Sequence, residues 1–167
     1  MKRLIALAIA SAGVAVIAAG CGGGGSGGGS GSAYGGTPKA AAAKTAGGAA
    51  VAMRTTQLGP TLVDSHGRTL YLFERDTTTA STCDGACASV WPPLITDGKP
   101  QAQAGISAAK LGTTKRNDGT VEVTYAGHPL YYYVSDTKPG QFSGEGLDQF
   151  GATWDAVAPS GNGIDKD

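Results

Sequence analysis

Gly67-Arg68-Thr69-Leu70-Tyr71-Leu72-Phe73-Glu74-Arg75-Asp76-Thr77 returns 60 residues later as Gly127-His128-Pro129-Leu130-Tyr131-Tyr132-Tyr133-Val134-Ser135-Asp136-Thr137. Gly, Leu, Tyr, an aromatic, Asp and Thr fall at matching positions. Trp91 and Trp154 follow at an offset of 63. Self-similarity at a fixed period marks internal duplication. The chain is therefore read as two copies of one unit, about 61–100 and 120–160, packed into a single domain over 50–160.

Each copy reads as a β-hairpin followed by a loop. In the first, Thr61-Leu62-Val63 runs into a turn at Asp64-Ser65-His66-Gly67 and returns as a strand from Thr69 to Glu74. In the second, Val121 to Tyr125 turns at Ala126-Gly127 and returns from Leu130 to Val134. Glycine supplies the positive φ that such turns need. Asn117-Asp118-Gly119 signals a further hairpin between Leu111–Arg116 and Thr120–Tyr125, and residues 50–58 read as an additional strand. Helical signals are short, at Asp84–Val90, Ser107–Leu111 and Glu145–Phe150. The expected fold is mainly β, with duplicated hairpin units, short helical turns and a pseudo-twofold relating the copies.

Alternation along a strand sorts the motif side chains. Tyr71 and Phe73 share one face, Leu70 and Leu72 the other. Tyr131 and Tyr133 stand in the same way against Leu130 and Tyr132. Both faces are apolar, which predicts strands central to the domain. The aromatics are read as core packing, with a stacking surface for a ring-bearing ligand or a redox centre as the alternative. Asp76 and Asp136 fall where each strand ends. There a turn-forming Asp accepts backbone N–H bonds. The sharper alternative has the two carboxylates converging as a metal site or a like-charged pair.

Cys83-Asp84-Gly85-Ala86-Cys87 places two cysteines four residues apart. On one helical turn their α-carbons lie ~6 Å apart, within bridging range. The expectation is a structural disulfide pinning the turn that presents Trp91-Pro92-Pro93. Thioredoxin-like chemistry needs C-x2-C, and covalent haem needs C-x2-C-H. The domain holds two His, neither duplicated, so a four-ligand zinc site is not expected. Asp64-Ser65-His66 contains triad residue types, but neighbours in one turn cannot take up triad geometry.

Outward from the duplicated domain, the composition changes. Of 28 glycines, ten lie among the fifteen residues from Gly22 to Gly36, whereas ten of eleven aromatics lie between Tyr71 and Trp154. Residues 21–49 gain too little burial to offset the ordering of their backbone, and are read as a flexible tether. A chain of that length spans roughly 30 Å. Residues 161–167 are read as a flexible tail. Ahead of the tether, Met1-Lys2-Arg3 precedes an uncharged, alanine-rich run over 4–20, the pattern of a secretory signal. Ala18-Ala19-Gly20-Cys21 resembles a bacterial lipobox, in which Cys21 carries the acyl chains after cleavage. The implied location is the extracytoplasmic face of a bacterial membrane. Thirteen basic residues balance thirteen acidic ones, so no basic excess argues for nucleic acid.

The two Tyr-x-aromatic-x-x-Asp motifs, Cys83–Cys87 running into Trp91-Pro92-Pro93-Leu94, and the Gly127-His128-Pro129-Leu130-Tyr131 opening of the second copy occur in order. Over about 60–160 the chain resembles the bacterial predicted lipoproteins with a Tyr-x-(Phe/Trp/Tyr)-x-x-Asp motif, the secreted repeat of unknown function. The resemblance implies an envelope lipoprotein or secreted protein and brings no catalytic residues. Ser143-Gly144-Glu145-Gly146 replaces the cysteine segment in the second copy.

No nucleophile elbow, zinc-protease helix, phosphate loop or dinucleotide fingerprint is present in the sequence. The leading expectation is a monomeric, non-enzymatic, lipid-anchored domain that binds a protein or small ligand, without cofactor or metal. The alternative is an envelope redox or ligand-binding accessory protein using the aromatic cluster and Cys83/Cys87. An acid-dependent hydrolase built on Asp76 and Asp136 is a third reading.

Overall fold

The computed structural model describes residues 47–164. The expected signal sequence, Cys21, nearly all of the tether and the last three residues lie outside them. Within them the chain is mainly β. Its strands are β1 (Ala50–Thr56), β2 (Gly59–Asp64), β3 (Tyr71–Phe73), β4 (Gln101–Ala102), β5 (Leu111–Lys115), β6 (Val121–Tyr125), β7 (His128–Pro129), β8 (Leu147–Gln149) and β9 (Ala152–Ala156). One short helix, α1 (Ala86–Val90), and a 3-10 turn at Ala108–Lys110 complete the regular structure among the described residues.

Three small sheets form, in the orders β2-β1-β4, β3-β9-β8 and β5-β6-β7. The β5–β6 hairpin closes where Asn117-Asp118-Gly119 predicts: Gly119, at φ +83°, donates to the Arg116 carbonyl. The hairpin expected between 61–63 and 69–74 survives only as a bridge between Val63 and Thr69. Beyond it β3 leaves β2 and pairs antiparallel with β9, Phe73 opposite Trp154. A strand apolar on both faces needs cover on both, and the solvent side of a local hairpin cannot supply it.

The consequence is an interlock of the two copies. The segment after α1 leaves the first copy and runs along the second. Leu94 N–H donates to Leu130 O, Val123 N–H to Leu94 O, and Tyr132 N–H to Pro92 O. In return β9 lies on the first copy, and Val157 links Leu62 to Leu70 through two backbone bonds. At the centre Tyr71 and Tyr131 face one another and exchange both backbone hydrogen bonds at 2.9 Å, the closed pair of an antiparallel ladder.

The predicted alternation sorts the motif residues into two cores. Leu70, Leu72, Leu130 and Tyr132 join Val51, Leu62, Leu94 and Val123 in one. Tyr71, Phe73 and Tyr131 join Cys83, Cys87, Trp91 and Trp154 in the other, with Tyr133 packed at its margin.

Three expectations change. The helical signal at 145–150 is strand β8, which turns into β9 through Phe150-Gly151. Both turn residues have positive φ, +58° and +92°, as a two-residue hairpin loop of the I′ kind requires. Residues 161–164, read as tail, fold back onto the domain. Ile164 N–H donates to Ala156 O, and its side chain packs on the aromatic core. At the other end Ala49, read as tether, is 1% exposed and its N–H reaches Thr96 Oγ1 at 3.0 Å. Short backbone closures of this kind leave no signal in side-chain composition.

Candidate functional site

The interlock brings the two motifs together in a crossed arrangement. The Tyr71 phenol of the first copy donates to Asp136 Oδ2 of the second at 2.5 Å. The Tyr131 phenol of the second donates to Asp76 Oδ2 of the first at 2.5 Å. All four residues are at most 3% exposed. Each aspartate uses its other oxygen to close its own loop. Asp76 Oδ1 accepts from the Thr82 N–H and hydroxyl at 2.8 and 2.6 Å. Asp136 Oδ1 accepts from Ser143 N–H at 2.9 Å. The carboxylates thus act as the turn-forming groups the sequence suggests, with an added partner across the repeat. Their hydrogen bonds go to the two phenols and not to each other.

The rings interleave as the hydrogen bonds do. Phe73 stacks on Trp154 (centroids 4.1 Å, planes 9° apart), Trp154 on Trp91 (4.0 Å, 6°), and Trp91 on Tyr133 (4.5 Å, 29°). The stack alternates between copies. Tyr71 stands edge-on to Trp91 at 5.3 Å and Tyr131 edge-on to Trp154 at 5.1 Å. Such contacts each contribute ~0.5–1.5 kcal/mol beyond their buried area. Gln149 fixes both indoles, its side-chain oxygen accepting from Trp91 Nε1 and its carbonyl from Trp154 Nε1, both at 3.0 Å. Every ring of the stack is buried except Tyr133, which is half-buried. The buried rings offer no free face to a ring-bearing ligand; among the six, Tyr133 alone is partly exposed.

Cys83 and Cys87 are bonded, with α-carbons 5.2 Å apart. Trp91 N–H donates to Cys87 O at 2.8 Å, which couples the bridged turn to the tryptophan. The two cysteines are 0% and 7% exposed. Thiol–disulfide exchange requires an attacking thiolate to reach a sulfur, and this burial hinders that approach. Pro92 and Pro93 are buried beside Trp91.

A charged network missed by sequence reasoning lies against Tyr131. Arg116 Nη1 donates to Glu122 Oε2 at 2.7 Å and to Ser81 Oγ at 2.6 Å; Nη2 donates to Cys83 O at 2.5 Å and to Asp84 Oδ1 at 3.0 Å. Ser81 Oγ lies 2.7 Å from the Tyr131 phenol. Glu122 is fully buried, and its Oε1 has no hydrogen-bond partner. Burial pushes the Glu122 carboxyl up to about 8, against the pull of Arg116. Burial opposes the charge of Arg116, yet Glu122, Tyr131 and Asp84 together outweigh it and the guanidinium is held above its ordinary value. Glu122 falls on a five-residue strand beside Thr120 and Thr124, where a charge reads as solvent-facing. Its burial is long-range: Ile95 pairs beside it, and Arg116, its ion-pair partner, is held by Ser81, Cys83 and Asp84.

Burial and then Asp136 hold the Tyr71 phenol far above its usual range, and Gly144 N–H partly offsets this. Burial, then the Glu122 and Asp76 carboxylates, do the same to Tyr131. Gly144 stands where the first copy has its cysteine segment. A Cβ there would lie 2.7 Å from Trp91 Cη2, so the substitution of the cysteines leaves room for the tryptophan of the other copy.

At Asp64-Ser65-His66, Ser65 Oγ and Asp64 Oδ2 both approach the same imidazole nitrogen, Nδ1, at 3.4 and 3.6 Å. A catalytic triad needs its partners on opposite nitrogens. Asp64 instead receives the Tyr132 phenol at 3.0 Å and two backbone N–H bonds of its own turn. Among the described residues no group of three or more His, Cys, Asp or Glu is placed to hold a metal ion.

Away from the motifs, a groove of about 740 Å³ runs between residues 95–100 and the β5–β6 hairpin. Ile95, Leu111 and Val121 give it apolar surface, with Asp97, Lys99 and Asp118 also lining it.

A family model described as a secreted repeat of unknown function matches residues 52–95 and 112–158, just over half of the chain. The matched segments begin within β1 and β5, so the repeating unit includes the β1–β2 and β5–β6 hairpins and starts earlier than the motif spacing suggests. No curated protein and no solved structure matches the chain.

Proposed function

Since the chain belongs to the family of secreted repeats of unknown function, we propose that it is a lipid-anchored, extracytoplasmic binding domain that carries out no catalysis of its own. In this reading Cys21 bears the anchor and residues 22–46 set the distance from the membrane. The motif residues hold the two repeats together, and ligand contact falls to the groove between 95–100 and the β5–β6 hairpin. The observation that carries the reading is the crossed Tyr–Asp pairing. It occupies Tyr71, Tyr131, Asp76 and Asp136 internally, whereas the groove is a concave surface with both apolar and charged lining, the character of a ligand site.

Two measurements test it. Cys21→Ser should abolish acyl labelling and move the protein from the membrane fraction to the soluble one. A photo-crosslinking benzoylphenylalanine at Val121, in the groove, should capture a partner in intact cells. The same probe at Phe150, outside the groove and equally exposed (38% against 40%), should not. Equal capture at both positions, or none at Val121, rejects the groove.

A further inference from the structure

The crossed tyrosines and the interleaved rings have a property that packing alone does not require. Six rings form one continuous contact path. From Tyr131 it passes to Trp154 (5.1 Å), Trp91 (4.0 Å) and Tyr133 (4.5 Å), with Tyr71 joining at Trp91 (5.3 Å) and Phe73 at Trp154 (4.1 Å). Tyr133 is the one member that reaches solvent. We propose that this array is a one-electron relay: a small diffusible radical oxidant takes an electron at Tyr133, and the resulting hole comes to rest on Tyr71 or Tyr131.

The chemistry follows from the hydrogen bonds. A phenol that loses an electron becomes a strong acid and must release its proton. In a dry interior it does so only to a base already in contact. Asp136 Oδ2 and Asp76 Oδ2 sit 2.5 Å from the two phenol oxygens. In the step proposed, an electron leaves the Tyr131 ring through Trp154, Trp91 and Tyr133 to the oxidant. The Oη–H bond breaks and the proton forms an O–H bond on Asp76 Oδ2. The products are a neutral phenoxyl radical, a neutral carboxylic acid and the reduced oxidant, so charge and electrons balance. Tyr71 and Asp136 run the same step through Trp91. A one-electron reductant at Tyr133 reverses it. Thr82 and Ser143 continue to hold the other carboxyl oxygens, so the acid stays in place to return the proton.

Two further features fit. The phenols are held well above their ordinary range by burial, so prior ionisation does not compete with coupled loss of electron and proton. The stacked indoles, 6° from parallel, share a positive hole between two rings, which favours its passage inward. The two copies differ at the ring that ends the stack. Phe73 is 1% exposed and has no hydroxyl, whereas Tyr133 is a half-buried phenol, so the relay has a single outlet.

The test is pulse radiolysis of the mature chain with azidyl radical, in a Tyr34→Phe background that removes the tether phenol. The indolyl absorption should appear first and convert to phenoxyl at a rate independent of protein concentration and slower in D2O. Tyr71→Phe and Tyr131→Phe should each lower the phenoxyl yield, and the double variant should lower it further and slow the decay of the indolyl radical. Near-ultraviolet circular dichroism identifies variants that keep the fold. Should the double variant unfold, the single variants and the isotope effect still decide. Unchanged conversion in the folded single variants, a rate proportional to protein concentration, or the absence of an isotope effect overturns the relay.

Discussion

The crossed pairing makes a prediction that the linear motif would get backwards. Within one copy, Tyr71 and Asp76 belong to the same Tyr-x-aromatic-x-x-Asp signature, yet Tyr71 bonds Asp136 and Tyr131 bonds Asp76. Tyr71→Phe removes the phenol and leaves a buried carboxylate oxygen short of its donor, at a cost of about 2 kcal/mol. Asp136→Ala removes the same bond and the Ser143 contact as well, and costs about 3 kcal/mol or more. The Ser143 contribution appears in both the single and the double variant, so it cancels in a double-mutant cycle. The Tyr71–Asp136 coupling that remains should be ~1.5–3 kcal/mol, the range for a hydrogen bond to a charged group. The Tyr71–Asp76 cycle, with no shared bond, should stay below ~0.5 kcal/mol. Urea unfolding followed by tryptophan fluorescence is a suitable assay, because Trp91 and Trp154 are both fully buried and report loss of the stack. With a slope of about 2 kcal/mol/M, a loss of 2 kcal/mol moves the midpoint down by about 1 M. A within-copy coupling as large as the between-copy one would refute the interlocked arrangement.

Other consequences are separable from this one. Reducing Cys83–Cys87 should cost about 2 kcal/mol, since a loop of five residues restrains little of the unfolded chain; thermal melts with and without reductant measure it. Glu122 has a folded value raised to about 8, so the folded state binds the proton more tightly than the unfolded one. Its contribution is therefore fully present below the unfolded value near 4.5 and is lost as pH rises toward 8. Glu122→Gln should flatten the fall in stability across that window, and an unchanged pH profile would show that Glu122 does not titrate there. Phe150 is 40% exposed and sits at φ +58°, a conformation costly for a bulky L-residue. Phe150→Asn should raise stability by roughly 0.5–1 kcal/mol, read as an upward shift in the urea midpoint.

The legible part of the fold was whatever depends on local period. The 60-residue offset, the sorting of Leu70 and Leu72 from Tyr71 and Phe73, and the Asn117-Asp118-Gly119 turn are properties of neighbouring residues, and each has its counterpart in the structure. Strand partners were not legible. Thr69 to Glu74 carries no mark telling it to leave Leu62 for Trp154, because both faces of the strand are apolar and any apolar strand would satisfy them. The 145–150 segment failed for a related reason: Phe150 takes a left-handed conformation that its side chain disfavours, so its turn is imposed by the pairing of β8 with β9. Arg116 and Glu122 look like ordinary surface charges on a hairpin until residues 81–84 engage Arg116 and Ile95 pairs beside Glu122.

The interlock also explains why the motif needs both an aromatic tyrosine and a distant aspartate, although neither serves the other within its own copy. A repeat standing alone would bury a phenol without an acceptor and a carboxylate without its donor. It would also leave one indole of the Trp91–Trp154 stack bare. Each unmet polar group costs ~1–3 kcal/mol, and each lost large ring ~3–5 kcal/mol. Together these are comparable with the whole stability of a domain, ~5–15 kcal/mol. The duplicated unit is therefore half of a fold, and its signature residues are complementary surfaces presented to a second copy. One divergence between the copies visibly preserves that complementarity. Gly144 illustrates this: the second copy lacks the disulfide, and in its place a residue without a Cβ admits Trp91 of the first.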